Sequence, residues 1–285
     1  MISPGLVPAG TTTPMFETHV AAIVGSPVLT LGALLMVSPF ALAQGGEGRL
    51  ARPIDRRFTF VEESLHGALP GHFEVEQWGT WKSRTDNDRD FDRFDIKTEI
   101  EYGLSDTLHC AIDLLEWHIT DSSMRQLTKY DMTAAELKWR LQDPRRDVVG
   151  LAYKTEVGLG PRALEWENTL IVDKIIGRWE IGYNFTLEAG WEGEKFLELE
   201  ESEGELRQEA GVSYELEPTI FIGGEVVHEK PLPDWRTSAR ENLFVGPDLA
   251  LRGREWALTT TALFLLNGGD DEPLFQLRII FEIDF

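Results

Sequence analysis

Apolar and polar residues alternate along most of the chain from about residue 71 to the C-terminus. In the last stretch, Leu274 to Phe285, every odd position from Phe275 onward is apolar and most even positions are polar. Successive side chains of a β-strand point to opposite faces, so this pattern predicts a strand with one apolar face and one polar face. Stretches of about ten residues with this pattern recur between turn residues. Because their polar faces carry many charges, they predict a barrel that is apolar outside and polar inside.

The alternation predicts an all-β chain folded as a transmembrane antiparallel up-and-down β-barrel. Its connections are short at one end and mostly longer and more polar at the other, with both termini on the short-turn side, which is the plan of such barrels. About twelve strands are predicted, near residues 71–83, 91–104, 106–119, 128–141, 147–159, 162–174, 178–191, 204–216, 219–229, 240–251, 254–266 and 274–285.

The N-terminus has the pattern of a secretion signal. Residues 20–42 are apolar and rich in small side chains, and Ala41-Leu42-Ala43 is a typical cleavage site. We therefore predict a signal peptide over residues 1–43. No Lys or Arg precedes the apolar run, so Met15 is a plausible true start, with residues 1–14 as an upstream extension. A retained membrane anchor is the alternative, and both place the rest of the chain outside the cytoplasm.

Residues 44–70 separate this signal from the predicted barrel at 71–285. Their glycines, arginines and Arg52-Pro53 are typical of a linker, so we predict a periplasmic N-terminal linker or plug segment. Residues 58–65 are compatible with a short strand or with a helix packed in the mouth of the barrel. The sequence does not choose between these two.

Aromatic residues recur near the predicted strand ends. Three segments place an aromatic residue and a leucine just before a short turn, at Tyr102, Trp139 and Tyr214, and aromatic side chains anchor a barrel at the membrane interface. The tryptophans near strand ends are Trp78, Trp81, Trp117, Trp139, Trp166, Trp179, Trp191 and Trp256. The predicted register also leaves three polar residues on the outer face, which indicates either interface depth or a β-bulge: Gln77, Asn168 and Gln208.

Two resemblances add to this. The C-terminal Phe281, Ile283 and Phe285 resemble the signal by which the barrel-assembly machinery recognises bacterial outer-membrane barrels. The segments 69–80 and 97–108 resemble a porin-like family of Gram-negative outer-membrane β-barrel proteins whose function is unassigned. The resemblance implies this fold, a location in the outer membrane, and contact with membrane lipid and lipopolysaccharide. It implies no catalytic residues.

If the polar face points inward, the lumen is lined by charges among which acids outnumber bases. The predicted lumen-lining residues are Glu74, Glu76, Arg93, Asp95, Lys97, Glu99, Glu101, Asp113, Glu136, Lys138, Glu156, Glu165, Glu167, Glu180, Glu188, Arg207, Glu209, Arg278 and Glu282. Unpaired charges are costly to bury, so surplus carboxylates indicate water or bound cations inside the barrel. The net charge of −22 argues against nucleic acid as a partner, since phosphate binding needs clustered Lys and Arg.

Two hypotheses for the lumen remain open. A water-filled bore lined by carboxylates would make a narrow passive channel for small solutes, preferring cations. Alternatively the charges pair and fill the bore, giving a closed structural or interaction barrel that acts through its extracellular loops. An enzyme is not predicted: His109 and His118, nine residues apart, are expected on opposite faces of one strand, and His66, His72 and His228 lack zinc-site spacing. We therefore expect no catalytic residues, no metal and no cofactor.

Overall fold

A computed structural model describes residues 56–285 except 125, 197 and 236–239. The predicted signal peptide lies outside the described residues, as do residues 44–55 of the predicted linker. The strands are β1 Phe73–Ser83, β2 Asp92–Ser105, β3 Leu108–Asp121, β4 Gln126–Tyr130, β5 Thr133–Gln142, β6 Gly150–Leu159, β7 Ala163–Ile176, β8 Trp179–Glu192, β9 Glu201–Glu217, β10 Ile220–Pro233, β11 Asn242–Arg252, β12 Trp256–Asn267 and β13 Phe275–Asp284.

These strands close into an antiparallel barrel. Apart from β4 and β5, each strand pairs with its neighbour in sequence, and β1 pairs with both β2 and β13, which joins the two ends of the sheet. Strands β4 and β5 both pair with β3 and are two parts of one strand, interrupted at Asp131 and Met132. Counted this way, the described residues form twelve strands, so the predicted fold class is confirmed. No helix among the described residues is long and apolar enough to cross a membrane.

The outward face is apolar, as strand β8 shows. Its outward side chains include Trp179, Ile181 and Phe185, each more than a third exposed, whereas Glu180 and Asn184 point inward and are buried. Most of the other strands expose large apolar residues in the same way. A continuous exposed apolar belt is costly in water and favourable in lipid, so it places the barrel in a membrane.

Aromatic pairs lie near both ends of this belt. Near the short turns the paired rings are Phe73 with Tyr102 (4.7 Å between centroids), Trp179 with Tyr214 (4.6 Å) and Trp256 with Phe281 (6.5 Å). Near the long loops they are Trp81 with Phe94 and Phe275, Trp117 with Tyr130, and Phe264 with Phe275. Trp78 belongs to neither group of pairs. It faces the bore, with the Lys97 ammonium 4.5 Å from its ring centroid.

The polar residues on the outward face form hydrogen bonds with neighbouring groups of the barrel wall. Gln77 donates to the Lys97 carbonyl at 2.8 Å and accepts from the Thr98 hydroxyl at 2.9 Å. In the same way Asn168 accepts from the Tyr153 hydroxyl at 2.5 Å, and Gln208 from the Tyr183 hydroxyl at 2.9 Å. Neighbouring side chains therefore supply the hydrogen bonds that lipid cannot, and the register at these positions is regular.

A β-bulge in β3 overturns one prediction. Thr98 pairs with Leu115 and Glu99 with Asp113, so Leu114 is an extra residue, and both Leu114 and Leu115 are exposed. The alternation changes parity at this point. The prediction that His109 and His118 face opposite sides is therefore wrong: both are buried on the inward face, although nine residues separate them.

Candidate functional site

Residues 56–70, here called the inner segment, lie inside the bore. They form neither helix nor strand, apart from a single bridge between Pro70 and Gly103, and most of their side chains are buried. Their partners are inward-facing residues on β1, β2, β5 to β8, β10 and β13. The inner segment therefore contacts the barrel wall on opposite sides of the bore.

Arg56 anchors the first residues of the inner segment in a buried acidic cluster. Its guanidinium is 2.8 Å from Glu76 Oε1 and also pairs with Glu282. The His66 Nε2 atom lies 3.3 Å from Glu74 Oε1 and 3.4 Å from Glu76 Oε1. Burial and Arg56 act to lower the pKa of His66, but the surrounding Glu282 and Glu74 outweigh them and raise it well above its ordinary value. A protonated His66 thus helps Arg56 to balance these carboxylates.

Glu225 on β10 binds the backbone of the inner segment. Its carboxylate accepts the N–H groups of Thr59 at 3.0 Å, Phe60 at 2.7 Å and Val61 at 2.8 Å, and it also accepts the Thr261 hydroxyl. These three residues are buried and lack secondary-structure partners, so one side chain supplies the acceptors that a strand or helix would otherwise provide. Glu225 therefore fixes the path of the chain across the bore.

Glu62 links the inner segment to the opposite wall. Its carboxylate lies 2.6 Å from Lys154 Nζ and 3.2 Å from Lys138 Nζ, while its N–H donates to Asn184 Oδ1 at 2.6 Å. Burial acts to raise the pKa of Glu62, but these two ammonium groups hold it well below its ordinary value. At the adjacent residue, burial and Glu180 raise the pKa of Glu63 well above its ordinary value.

Two glycines on the wall make room for apolar residues of the inner segment. A Cβ atom at Gly211 would lie 2.7 Å from Phe58 Cε1, and one at Gly182 would lie 2.6 Å from Val61 Cγ1. Phe58 and Val61 are fully buried here. The inner segment and the barrel wall are therefore complementary in shape as well as in charge.

Between the inner segment and the long-loop end lies a cavity of about 530 Å³. Phe60 and Glu62 belong to its floor, and Lys82, Arg93 and Glu272 line it near the long-loop ends of the strands. Among its lining residues are thirteen carboxylates and seven Lys or Arg side chains, so the lining carries a negative surplus.

Two positively charged side chains of the cavity lining, Arg207 and Lys154, each form ion pairs with several carboxylates. Arg207 lies 2.7 Å from Glu167, 2.9 Å from Glu209 and 3.5 Å from Glu205. Lys154, besides binding Glu62, lies 3.4 Å from Glu136, 3.5 Å from Glu167 and 3.9 Å from Glu156. Many acids therefore share these few cations, and the lining keeps a surplus of carboxyl groups.

The structure divides the lumen residues predicted from sequence into two groups on the inward face. Those beside the inner segment are Glu74, Glu76, Glu101, Lys138, Glu180 and Glu282. Those around the cavity are Arg93, Asp95, Lys97, Glu99, Glu136, Glu156, Glu167, Arg207, Glu209 and Arg278, with Asp113 bound to Lys97, Glu188 near Arg207, and Glu165 on the same face as Glu167. Phe281, Ile283 and Phe285 lie at the opposite, outward parity, and their role in assembly stays a prediction.

The sequence did not reveal several residues of the site. Glu116 and His118 face inward only because of the bulge in β3. Asn184 and Asp173 were not singled out, yet they bind Glu62 and Ser64 of the inner segment. The alternation along β7 and β8 places both residues on the polar face, and this pattern could have identified them as inward-facing.

The comparisons with known proteins agree with this architecture. The profile of a family of unknown function, DUF6662, matches residues 175–276. No curated protein sequence matches the chain. Among solved structures, the NanC porin is similar with a TM-score of 0.50 and 9% sequence identity, over 74% of this chain and 98% of that one. The translocator domain of the autotransporter NalP from Neisseria meningitidis has a TM-score of 0.47 and 11% identity, over 78% and 91% of the two chains.

The fold and its apolar belt define a porin-like β-barrel of the outer membrane. The chain is similar over part of its length to an uncharacterised family, and a porin shares its fold at low sequence identity. Such a fold suits a lipid and lipopolysaccharide environment, because its apolar face contacts lipid.

Proposed function

We propose that this protein is a narrow passive channel for small solutes, with an acidic, cation-preferring lumen that the inner segment closes in the conformation described. The observation that carries the proposal is the charged cavity of about 530 Å³ inside the barrel, which ends on the inner segment. A barrel with a purely structural role can fill its bore with packed side chains and does not require a polar cavity of this size. In this conformation the cavity forms one part of the conduction path. This part lies between the inner segment and the long-loop end of the barrel.

Cation preference is supported by the surplus of carboxylates around the cavity. Rings of Asp and Glu attract cations and repel anions through their field. The shared cations Arg207 and Lys154 reduce this field without cancelling it, since each already contacts at least four carboxylates. The remaining negative charge faces the cavity that a solute would enter.

The second candidate function is a closed barrel that acts through its extracellular loops. The observation that favours it is the number of buried ion pairs and hydrogen bonds that hold the inner segment, such as those of Arg56 and Glu225. A segment held this firmly would keep the bore shut. Whether the inner segment can leave its position separates the two functions.

The decisive experiment is single-channel recording of the full-length chain, extracted from the outer membrane and reconstituted in a planar bilayer with a salt gradient. The wild type would be compared with Gly211→Val, whose side chain would collide with Phe58. The matched control is Gly79→Val on β1, because a Cβ at Gly79 meets nothing within 4 Å. Folding of each protein is checked by its resistance to unfolding in detergent before heating.

A channel closed by the inner segment predicts rare or small openings in the wild type and in the control, and larger, more frequent steps in Gly211→Val. The reversal potential should have the sign of cation preference. If folded wild type and folded Gly211→Val are both silent, the channel proposal fails and the closed barrel is favoured.

A further inference from the structure

One arginine of the cavity lining, Arg278 on β13, has no carboxylate partner within the described part of the chain. No described carboxylate oxygen lies within 4.0 Å of its guanidinium. The other Lys and Arg side chains of the lining each form at least one ion pair: Arg56, Lys82, Arg93, Lys97, Lys154 and Arg207. Because carboxylates outnumber basic side chains in this lining, pairing of Arg278 with an acid would be the ordinary outcome.

The acids around Arg278 are bound by other groups. Asp95, Glu209 and Glu225 are near enough to act on it electrostatically. Asp95 pairs with two other cations of the wall, Glu209 pairs with Arg207, and Glu225 accepts hydrogen bonds from the inner segment. Arg207 acts on Arg278 as a like charge. A carboxylate brought in by a solute would therefore meet a cation that no wall residue pairs with directly.

Neutral groups hold the Arg278 side chain in place. Its Nε atom donates to Thr80 Oγ1 at 3.1 Å, and its Nη1 atom donates to the Thr59 carbonyl oxygen at 3.2 Å. The guanidinium carbon lies 3.8 Å from the centroid of the Phe60 ring. The Nη2 atom makes no hydrogen bond with the described residues and is not buried. Arg278 therefore offers the cavity a positioned N–H donor, and arginine binds carboxylates through strong charge-assisted hydrogen bonds.

The charge of the whole lining decides which kind of carboxylate can bind there. The surplus of acids repels a solute with net negative charge. Three lining carboxylates have no Lys, Arg or His partner within 4.0 Å among the described residues: Glu116, Glu229 and Glu272. A solute that carries a positive group beside its carboxylate is attracted by these acids while its own acid pairs with Arg278.

We propose that Arg278 binds the carboxylate of small zwitterionic solutes of the amino-acid class, whose ammonium group is held by the acidic lining of the cavity. The cavity of about 530 Å³ has the volume of a small-molecule site, so it can hold such a solute together with water. The inference deepens the proposed function, on which it rests for the passage of the bound solute, because it names the class of solute that the channel would select.

The position of Arg278 links this binding site to the closure of the bore. Two of its contacts, those with Thr59 and Phe60, are with the inner segment, and Phe60 belongs to the floor of the cavity. A solute whose carboxylate pairs with Arg278 therefore lies against the inner segment, at the point where the conduction path would continue. Binding itself does not require the path to open, so it can be measured without conductance.

The test is calorimetric titration of the folded full-length protein in detergent with three matched probes. The zwitterion γ-aminobutyrate carries both charged ends, butyrate carries only the carboxylate, and butylamine carries only the ammonium group. The variants are Arg278→Gln, which removes the charge, and Arg278→Lys, which keeps it without the planar guanidinium. The matched control is Arg240→Gln, which makes the same substitution on an exposed loop outside the cavity.

The wild type and Arg240→Gln should bind γ-aminobutyrate at least about tenfold more tightly than butyrate or butylamine, because each of these lacks one charged hydrogen-bonding end. Arg278→Gln should lose the advantage of γ-aminobutyrate over butylamine and leave butylamine binding unchanged. Arg278→Lys should keep part of the advantage.

Equal binding of the three probes by the wild type would overturn the site, and so would full γ-aminobutyrate binding by folded Arg278→Gln. An equal loss of γ-aminobutyrate and butylamine binding in that variant would also overturn it, because a structural defect weakens both. If Arg278→Gln does not fold, the wild-type comparison and Arg278→Lys decide. Failure here leaves a channel for simple cations intact, whereas intact binding with silent bilayer recordings would remove the channel alone.

Discussion

Thr59 and Glu225 are 166 positions apart in the chain, yet the Thr59 N–H donates to Glu225 Oε1 at 3.0 Å inside the bore. The same carboxylate accepts the next two N–H groups, so a single strand residue holds three consecutive backbone donors. This contact joins the segment before the barrel to the barrel wall inside the bore.

Replacing Glu225 by alanine should release the inner segment. The change removes the acceptor of three buried N–H groups, each worth about 1–3 kcal/mol when left unsatisfied. A loss of about 3 kcal/mol corresponds to roughly hundredfold faster amide exchange at residues 59–61. Hydrogen exchange with mass spectrometry measures it. The control Glu229→Ala, on the same face of β10, should leave this exchange unchanged, and equal acceleration in both variants would argue against the assignment.

The Glu62 pairs should make stability depend on pH. Because Lys154 and Lys138 lower the pKa of Glu62 in the folded protein, its contribution is complete above the ordinary glutamate pKa, about 4.3. It is lost as the pH falls through the lowered value. Glu62→Gln should therefore lower the free energy of unfolding by about 3 kcal/mol at neutral pH, as expected for removing one partner of a buried pair. The difference from wild type should vanish at acid pH.

Urea unfolding in lipid vesicles over a range of pH measures this effect, with Glu63→Gln as the matched control. The pKa of Glu63 is raised by burial and Glu180, so neutralising it should cost less at neutral pH. Identical losses for the two variants across the whole pH range would contradict the role given to the lysines.

Arg207 should set the strength of the cation preference. Arg207→Gln removes the positive charge that Glu167, Glu205 and Glu209 share, so the field in the cavity becomes more negative and the reversal potential should move further toward the cation value. Glu167→Gln should move it the other way. Arg240→Gln, on an exposed loop, makes the same substitution outside the cavity and should leave selectivity unchanged. The same shift in both arginine variants would mean that the lumen does not set selectivity.

The C-terminal aromatic residue should matter for assembly rather than for closure of the barrel. The backbone of Phe285 pairs with Phe73 at 2.9 Å and with His72 at 2.8 Å, and Phe285→Ala keeps both contacts. We expect this variant to reach the outer membrane in lower amount, while Phe285→Tyr, which keeps an aromatic ring, accumulates normally. Quantifying folded, heat-modifiable protein in outer-membrane fractions gives the answer, and equal amounts of the two variants would remove the assembly role.

The alternation of side chains by itself determined the strands and their faces, except beyond the bulge in β3. A period of two is a local property of the sequence. In a transmembrane barrel the apolar face contacts lipid and the other face lines a polar interior, so this period assigns each side chain to one face of the wall. It was sufficient to predict the twelve strands and the inward position of residues such as Glu167 and Arg207. It placed Gln77 outward as well, although only the pairing with Thr98 shows how lipid-facing amides are satisfied.

The tertiary structure alone decided how the bore is filled and where the bulge lies. Residues 56–70 have no periodicity, and partners such as Glu225 and Asp173 are more than 100 positions away, so no local pattern could place them. The bulge at Leu114 depends on how β3 pairs with β2, and that pairing brings Asp113 and Glu116 to one face. Contacts between residues distant in sequence set these features. Such contacts contribute to stability only when the strands have paired and the barrel has closed.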